Sequence, residues 1–345
     1  MSYKLFKKTF NNQKVLITGH TGFKGSYLTS FFHYLNAKVM GISDHEFQNF
    51  KDLKFKLNID SHIFNLNNKK KLFKEIKKFR PKYIFHLAAQ SIVFKSINNP
   101  SLTWHSNLIS TINLLNCLKE ITSVKYVVLI TTDKVYMNDE KSKHKKEYDF
   151  LKGDDSYSMS KVGVENYVKY FVKNNKKFKI ITIRAGNVLG GGDWSEKRLV
   201  PDIARSIIDK KKLKLRSSKS VRPWIHVLDC MHGYLYLASK MKSNIVKNGS
   251  SWNISNLNKD SYNTQSIIKL FQNHFNFKII NEKKKFSEKK ILMLDANKIK
   301  NELGWKPLYN FKRCINETIN WYENYIFNKK NLTLLNVKKY LNERI

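Results

Sequence analysis

The 345-residue sequence predicts an α/β fold in which a doubly wound parallel sheet carries helices on both faces and a smaller α/β lobe follows. Three observations support this prediction. Apolar runs rich in β-branched residues, such as Lys14–Thr18 and Val127–Ile130, alternate with segments of helical periodicity. The first of these runs opens directly into a glycine-rich turn. Later runs end in small or hydroxylated residues, and ligands bind at the carboxyl ends of strands in open parallel sheets.

The composition is that of a globular protein with an unusually basic surface. Hydrophobic residues make up 41% of the chain and aromatic residues 13%, enough for one large domain or two lobes. Lysine and arginine number 64 against 27 acidic residues, so the formal net charge is +37. Such a charge is typical of nucleic-acid-binding proteins. The lysines recur along the whole chain, however, and only eight residues are arginine. We therefore expect no nucleic-acid partner and infer that the charge helps to attract a phosphorylated substrate.

Cysteine, histidine and hydropathy patterns exclude several other classes. Cys117, Cys230 and Cys314 are far apart and odd in number, which predicts neither a disulfide framework nor a cysteine metal site. None of the ten histidines has a ligand spacing such as His-Glu-x-x-His, so no metal is expected. No apolar run approaches the roughly 18 residues that a membrane-spanning helix needs, and the first residues do not form a signal peptide. We expect a cytoplasmic protein without a membrane partner.

The glycine-rich turn after the first strand has the spacing Gly-x-x-Gly-x-x-Gly, and apolar residues at helical spacing follow it. Strand, glycine turn and helix in this order are typical of a Rossmann dinucleotide site, because glycine lets the backbone approach a pyrophosphate that rests on the helix N-terminus. A Walker loop is disfavoured, because Lys24-Gly25-Ser26 has the wrong order for it. The residues expected at the cofactor in this turn are Gly19, Thr21, Gly22, Phe23, Lys24 and Gly25.

Two further strand ends are predicted to complete the cofactor site. The strand Lys38–Ile42 is followed by Asp44, nineteen residues after Gly25. An acid at this distance can accept hydrogen bonds from the adenosine ribose and repels a 2′-phosphate, which favours NAD over NADP. The strand that begins at Tyr83 ends in Ala88, Ala89 and Gln90, and its small residues let a flat cofactor pack against the backbone.

The chemistry is predicted to concentrate between Val127 and Lys161. The strand Val127–Ile130 ends in Thr131-Thr132-Asp133-Lys134, and a helix capped by Asp155 or Ser156 follows later. Tyr157 and Lys161 are four residues apart on that helix, so both side chains project from one face. A Tyr-x-x-x-Lys pair by itself also fits an exposed helix face. A phenol titrates near 10, and a neighbouring ammonium with a cationic cofactor could lower its pKa by the roughly three units that action as a base at neutral pH requires.

Beyond the strand Ile180–Ile183 the alternation loosens, and we divide the chain into three parts. Residues 1–185 are expected to form the cofactor-binding domain, residues 186–327 mainly the substrate lobe, and residues 328–345 a peripheral basic tail. The substrate lobe begins with a glycine-rich loop that ends in Asp193-Trp194. Arg222 lies in a compact polar and aromatic loop and is a candidate diphosphate clamp, because a guanidinium offers a planar fork matched to phosphate oxygens.

Taken together, these motifs resemble the CDP-glucose 4,6-dehydratase family of the extended short-chain dehydrogenase/reductase superfamily, from about Lys14 to Tyr322. Thr132-Asp133-Lys134 is the most specific of them, because related dehydratases acting on other nucleotide sugars usually carry Glu at the third place. The motifs that carry the resemblance are Gly19–Ser26, His86-Leu87-Ala88-Ala89-Gln90, Thr132-Asp133-Lys134-x-Tyr136, Tyr157-Ser158-x-Ser160-Lys161, Arg184-Ala185-Gly186-Asn187-Val188 through Asp193-Trp194, and Arg222-Pro223-Trp224-x-His226-Val227.

The resemblance implies an NAD-dependent lyase that converts CDP-glucose to CDP-4-keto-6-deoxyglucose for deoxysugar and surface-polysaccharide synthesis. Tyr157, assisted by Lys161 and Thr132, would take the proton of the sugar 4-hydroxyl while the cofactor accepts hydride from C4. Asp133 would protonate the departing 6-hydroxyl. Lys134 would remove the C5 proton, or it would only orient the sugar while water or Tyr157 takes that proton.

The resemblance also implies contacts outside the reacting centre. The adenine would lie near Asn65 and Leu66, and Thr131 would contact the cofactor together with Tyr157 and Lys161. A homodimer would form through a four-helix bundle of the helices near 103–119 and 157–174. Alternatives remain: a dehydratase of a dTDP-, UDP- or GDP-linked sugar, an epimerase, or a non-catalytic nucleic-acid-binding protein. The expected substrate contacts are Gln90, Ser91, Thr132, Asn187, Arg198, Leu199, Arg216 and Arg222.

Overall fold

A computed structural model describes residues 2–138, 144–215, 220–257, 262–281 and 291–345 of the chain. The strands of these ranges alternate with helices along most of the sequence, as the apolar pattern predicts. They are β1 (Lys14–Thr18), β2 (Lys38–Ser43), β3 (Ile59–Ile63), β4 (Tyr83–His86), β5 (Tyr126–Ile130), β6 (Lys179–Ala185), β7 (Val188–Leu189), β8 (Leu213–Leu215), β9 (Val221–Arg222), β10 (Ile225–His226), β11 (Ser251–Ile254), β12 (Tyr262–Asn263) and β13 (Ile279–Asn281).

Helices connect these strands, and several of them begin at a residue whose side chain caps the first turn. Asp155, Asn263 and Asn310 each accept a backbone N–H of the first turn that follows them. Gly304 ends another helix with φ of 74°, a conformation that glycine adopts readily. The helices are α1 (Ser2–Phe10), α2 (Phe23–Tyr34), α3 (Gln48–Leu53), α4 (Lys69–Phe79), α5 (Val93–Asn98), α6 (Pro100–Trp104), α7 (Ser110–Leu118), α8 (Ser156–Asn174), α9 (Leu199–Ile208), α10 (Val227–Lys240), α11 (Thr264–Gln272), α12 (Asn297–Leu303), α13 (Phe311–Asn328) and α14 (Thr333–Asn342).

The main sheet has seven parallel strands in the order β11-β6-β5-β4-β1-β2-β3. The order reverses direction after β3, because β4 returns to the other side of β1. A crevice therefore opens above the carboxyl ends of β1 and β4, the place where doubly wound sheets bind dinucleotides. This arrangement confirms the predicted Rossmann-type sheet.

The alternation of side chains along each strand divides the core between the two faces of the sheet. On one face Val15, Ile17 and Val128 pack against α1, α2 and α10. On the other face Leu16, Val127 and neighbouring residues pack against α4, α7 and α8. Because both faces are covered by helices, these strands are apolar throughout, as parallel strands generally are.

Several elements after residue 185 pack with the first domain. The strand β11 extends the main sheet by pairing with β6, and α10 packs on the sheet face that carries α2. The helices α9, α11 and α13 form a separate apolar cluster around Ile203, Phe271 and Ile315, with short strand pairs at its edges. The chain thus returns to the Rossmann domain before completing the substrate lobe.

Both ends of the chain differ from expectation. Residues 2–10 form helix α1, which was not predicted. Residues 333–342 form helix α14 and are not a peripheral tail. The side chains of Val337 and Tyr340 are fully buried against the sheet domain, and Tyr340 donates a hydrogen bond to the buried carboxylate of Asp229. The segment was predicted to be a peripheral tail because its lysines dominate its composition, although its apolar residues form a stripe along the helix.

Candidate active site

The glycine turn is tight enough to require glycine at two of its three spaced positions. Gly19 has φ of 75°, and a Cβ there would lie 2.7 Å from the backbone nitrogen of Ala88. A Cβ on Gly25 would lie 2.0 Å from the carbonyl oxygen of Gly19. Gly22 precedes α2, and no side chain caps the first turn of that helix. The turn therefore presents bare backbone N–H groups to the crevice, as an anion-binding helix N-terminus requires.

Polar side chains fix the far end of this turn to β2. The imidazole of His20 is fully buried between Ser43, at 2.9 Å, and Ser61, at 2.8 Å. Burial lowers the pKa of His20 to about 4, so the ring is neutral at physiological pH. The Thr21 hydroxyl donates to the carbonyl of His45 at 2.6 Å. His20 was not among the predicted site residues, because only its place in the turn marks it in the sequence.

The predicted ribose and adenine contacts lie at the ends of β2 and β3. Asp44 is exposed, and its carboxylate lies 2.7 Å from the His45 ring. Asn65 is exposed as well, whereas the Leu66 side chain packs in the core below. These residues border the crevice beside the glycine turn, and their contacts with a nucleotide remain predictions.

A π-helical turn at His105–Ile109 places Asn107 behind the cofactor crevice. The Asn107 side chain is fully buried, accepts from the backbone N–H of Gln90 at 2.8 Å and donates to the Gln90 carbonyl at 3.1 Å. It also donates to the hydroxyl of Ser160 at 2.9 Å. Asn107 thus joins the end of β4 to the helix of Tyr157. We missed this residue because a π turn has no distinct sequence pattern, although such turns are frequent at functional sites.

Asp133 directly follows Thr132 after the end of β5 and has an unsatisfied oxygen. Its side chain is 3% exposed, and its Oδ1 accepts the Thr132 hydroxyl at 3.0 Å. Its Oδ2 is buried and has no hydrogen-bond partner. Burial raises the pKa of this carboxyl, although Lys134 and the Thr132 hydroxyl oppose the effect. A buried carboxyl with an unpaired oxygen and a raised pKa is suited to carry and donate a proton.

Tyr157 and Lys161 lie side by side on α8 and both are buried. Burial raises the pKa of Tyr157 to about 12, against the lowering effects of Thr132 and Arg198. The phenol therefore holds its proton until a cationic group binds beside it. The Lys161 ammonium donates to the Ile130 carbonyl at 3.0 Å, and burial followed by the charge of Lys24 lowers its pKa to about 8.

The neighbours of this pair occupy the end of β5 and the short helical turn after it. Thr131 donates through its hydroxyl to Glu165 at 2.6 Å, so that side chain points away from the crevice. Lys134 is half-buried in the turn Asp133–Val135, directly after the acid. The structure thus brings the end of β5 and the first turns of α8 together.

Basic side chains from the substrate lobe face the same crevice. Arg198 contacts Ser91 at 3.1 Å and Asp193 at 3.3 Å, so it bridges the sheet domain and the glycine-rich loop. Tyr322 holds that loop by donating to the Asp193 carbonyl at 2.7 Å. Leu199 begins α9 beside Arg198 and is half-buried. The guanidinium is therefore held at the junction of the two lobes.

Arg222 and Lys24 add positive charge near Asp133. Arg222 is 9% exposed, and its charge lowers the pKa of Asp133, an effect that Lys24 shares. Burial lowers the pKa of Lys24 itself. Asn187 is half-buried, and its carbonyl accepts the backbone N–H of Ile225. The predicted contact Arg216 lies outside the described residues.

No group of three or more histidine, cysteine, aspartate or glutamate side chains in the described ranges could hold a metal ion. No helix in the same ranges is long and apolar enough to cross a membrane.

Comparison with known proteins identifies the family of this site. A family model described as GDP-mannose 4,6 dehydratase matches residues 16–318. The CDP-glucose 4,6-dehydratase of Salmonella typhimurium is 32% identical over 342 residues, which cover 93% of each chain. Two solved structures share the fold at lower identity. An epimerase from Methanothermobacter thermautotrophicus has a TM-score of 0.82 at 20% identity, covering 94% of this chain and 96% of that one.

The second solved structure is the dTDP-glucose 4,6-dehydratase of Bacillus anthracis in complex with NAD. It has a TM-score of 0.76 at 24% identity and covers 90% of this chain and 97% of its own. These two likenesses extend over both lobes and establish the fold. The family match and the Salmonella typhimurium relative span the crevice residues described above. The chain therefore belongs to the GDP-mannose 4,6-dehydratase family of nucleotide-sugar 4,6-dehydratases.

Proposed function

We propose that this protein is an NAD-dependent lyase that converts CDP-glucose to CDP-4-keto-6-deoxyglucose. The observation that carries the proposal is Asp133, a buried carboxyl with a raised pKa and an unpaired oxygen beside Thr132 and Tyr157. A simple oxidoreductase or a 4-epimerase has no leaving group to protonate. A dehydratase has to donate a proton to the departing 6-hydroxyl, and Asp133 is suited to that task.

The crevice fits NAD, because the glycine turn forms a cradle that a Cβ would fill. Side-chain atoms at Gly19 or Gly25 would come within 3 Å of the backbone across the turn. Gly19, Thr21, Gly22, Phe23, Lys24 and Gly25 would hold the pyrophosphate, while Asp44, Asn65 and Leu66 would flank the adenosine. Ala88, Ala89 and Gln90 would border the nicotinamide side. When bound, NAD would accept the hydride from C4 of the sugar and return it at C6, and C5 would then take up a proton derived from solvent.

Tyr157 would act as the base at the sugar 4-hydroxyl. Its pKa of about 12 keeps the free phenol protonated, so the positive charge of the bound cofactor and of Lys161 has to lower that value. Thr132 would hydrogen-bond the same sugar oxygen. Lys161 is anchored on the Ile130 carbonyl and therefore has a fixed place beside the phenol.

Removal of the C5 proton and loss of the 6-hydroxyl would involve the turn Asp133–Val135. Once C4 is a ketone, the C5 proton is acidic and a nearby base can take it. Lys134 occupies the position next to the acid, which makes it our candidate for that base. Asp133 would then protonate the 6-hydroxyl as it leaves, and the two side chains together would remove water across C5 and C6.

The cationic side chains would bind the diphosphate of the nucleotide sugar. Arg198 and Arg222 reach the crevice from the substrate lobe, and their charges act on Tyr157 and Asp133 respectively. Gln90, Ser91, Asn187 and Leu199 border the same space. Arg216 stays in the proposal on sequence grounds alone. CDP is favoured over other nucleotides by the Thr-Asp-Lys triplet and by the Salmonella typhimurium relative.

The protein is also proposed to act as a cytoplasmic homodimer. Two helical segments that pack on each other within the chain, α6 with the following π turn and α8, expose large apolar side chains. Leu102 is 51% exposed and Tyr170 is 64% exposed, and Ile109 and Met159 lie on the same two segments. Pairing this face with its copy would form a four-helix bundle and bury these side chains.

Sedimentation of two variants tests the dimer. Leu102→Glu combined with Tyr170→Glu should convert the dimer to a monomer, because it places charge in the proposed interface. Phe55→Glu is the control, since Phe55 is 91% exposed on a different segment and should leave the mass unchanged. A dimer that persists in the double variant would show that another face is used.

The nearest alternative is the same reaction on a dTDP-, UDP- or GDP-linked sugar, and a panel of these substrates separates the possibilities. An epimerase would leave the 6-hydroxyl in place. A non-catalytic nucleic-acid-binding protein would bind DNA or RNA with an affinity that falls steeply with salt. Absence of such binding at low salt would exclude a nucleic-acid-binding function.

A further inference from the structure

We propose that Glu165 is a positioning residue that holds the end of β5, where Thr132 and the carbonyl that binds Lys161 lie. The inference deepens the proposed function, on which it rests for the role of Lys161. Glu165 lies on α8 one turn after Lys161 and two turns after Tyr157, so the three side chains follow one face of the helix. Its carboxylate is 1% exposed and therefore lies beneath the crevice.

The carboxylate of Glu165 is bound from three strands of the main sheet. From β6 it accepts the Thr182 hydroxyl at 2.9 Å, together with the Arg184 guanidinium at 2.9 Å and 2.8 Å. The Ser251 hydroxyl on β11 lies 3.2 Å away. The Thr131 hydroxyl, at the end of β5, donates to it at 2.6 Å. Glu165 therefore ties the catalytic helix to the strand end that carries Thr132.

The same strand end also holds Lys161. The Lys161 ammonium donates to the carbonyl of Ile130, the residue before Thr131. Glu165 and Lys161 lie one turn apart on α8. They bind two consecutive residues at the end of β5, Thr131 and Ile130 respectively. A shift of Thr131 would move both the Ile130 carbonyl and the Thr132 hydroxyl, so the geometry of the reacting centre depends on this carboxylate.

The charge of Glu165 opposes the other effects on Lys161. Burial and the ammonium of Lys24 lower the pKa of Lys161 to about 8, and Glu165 raises it. His86 also faces Lys161 from β4, but burial lowers the pKa of His86 to about 3, so that ring carries no charge near neutral pH. Tyr157 is the remaining titratable neighbour, on the same helix. The charge of Glu165 therefore favours the protonated form of Lys161.

Arg184 keeps Glu165 ionised in this buried place. Burial alone would raise the pKa of Glu165, but the hydrogen bonds and charge of Arg184 outweigh it, so the pKa is lowered. Arg184 in turn donates to the Tyr136 hydroxyl at 2.9 Å, and Tyr136 donates to Asn253 at 2.7 Å. Removing one partner of such a pair leaves an uncompensated buried charge, whereas replacing both is tolerated better.

The test compares Glu165→Gln with the wild type in two backgrounds, unaltered and Lys161→Met. The free energy of unfolding is measured by urea denaturation from pH 6 to pH 10. Because the pKa of Lys161 is about 8 in the folded chain and 10.5 in the unfolded chain, the unfolded state binds more protons between these values and stability rises with pH across that window. Glu165→Gln should move the start of this rise down by about one pH unit or more. In the Lys161→Met background the shift should vanish.

Two further variants control the experiment. Thr182→Val removes one hydrogen bond from Glu165 but leaves its charge and its contact with Thr131, so the window should stay where the wild type has it. If Glu165→Gln does not fold, the double variant Glu165→Gln with Arg184→Met is measured in its place, because it removes both buried charges. That variant should also start its rise below the wild-type pH.

The pH dependence of enzyme activity gives an independent test of the role of Glu165. For an enzyme that needs charged Lys161, Glu165→Gln should shift the alkaline limb of the kcat profile to lower pH by a similar amount. A wild type that forms no product would defeat the proposed function, while the unfolding experiment would still decide the role of Glu165. An equal loss of stability at every pH in both backgrounds would show that Glu165 is only structural and would overturn the inference.

Discussion

Replacing Asp133 with Asn isolates the proton donor from the rest of the crevice. The amide has nearly the shape of the carboxyl and can accept the Thr132 hydroxyl that Asp133 accepts at 3.0 Å. It cannot release a proton to a leaving hydroxyl. General acid catalysis contributes roughly 10²- to 10⁴-fold, so kcat with CDP-glucose should fall by about that factor.

A substrate with a better leaving group makes the test specific. CDP-6-deoxy-6-fluoroglucose loses fluoride, which needs little help from an acid. Asp133→Asn should therefore process this analogue at a rate within about tenfold of the wild type, because only the acid-dependent part of the barrier is lost. The assay is product formation followed by NMR. If the variant loses activity equally with both substrates, Asp133 does not act as the acid and the reasoning fails.

Stability provides a second readout for the same variant. Burial raises the pKa of Asp133 above its ordinary 3.8, so the folded state holds this proton more tightly than the unfolded state. The contribution of Asp133 to stability is therefore present below pH 3.8 and is lost as the pH rises through the folded pKa. At neutral pH Asp133→Asn should be more stable than the wild type, and urea unfolding should show the difference shrink as the pH falls towards 4. A variant less stable than the wild type at neutral pH would contradict the raised pKa.

Three other predictions concern the base, the cofactor turn and the C-terminal helix. Lys134→Met should abolish solvent deuterium uptake at C5 if Lys134 is the base, and unchanged uptake would assign that step to water or Tyr157. Gly25→Ala should weaken NAD binding roughly ten- to a hundredfold in calorimetry, because overpacking costs about 1–3 kcal/mol and the new Cβ would meet the Gly19 carbonyl at 2.0 Å. Gly304→Ala, where a Cβ meets no atom within 4 Å, should leave NAD affinity unchanged. Tyr340→Phe should lower the free energy of unfolding by about 2 kcal/mol in urea, because it leaves the buried Asp229 without the hydrogen bond that Tyr340 donates, and an unchanged midpoint would show that α14 contributes little.

The sequence predicted those parts of the fold whose signals are local. The strands β1, β2, β5 and β6 follow from continuous apolar runs, since a parallel strand covered on both faces has no polar side. Asp155 as the cap of α8 follows from its own side chain. The glycine spacing predicted the turn, because Gly19 and Gly25 leave no room for a Cβ. Proximity of the Thr132 and Tyr157 segments follows from sheet topology.

Features that depend on distant contacts could not be predicted in this way. The helix α14 has lysines on its surface, and its apolar stripe has meaning only against α2 and α10. Likewise, β11 returns to the main sheet from a part of the chain that otherwise builds the substrate lobe. Asn107 and Glu165 carry no motif, and their importance comes from buried hydrogen bonds to residues many positions away.

The most direct test of the proposed function is incubation of the purified protein with NAD and CDP-, dTDP-, UDP- or GDP-linked sugars in deuterated water, with products followed by NMR. We predict a 4-keto-6-deoxy sugar from CDP-glucose alone, with deuterium at C5. The same product from another nucleotide would keep the mechanism and refute the specificity. A product that retains its 6-hydroxyl, or no product from any of the four, would contradict the assignment of Asp133 as the acid of a 4,6-dehydratase.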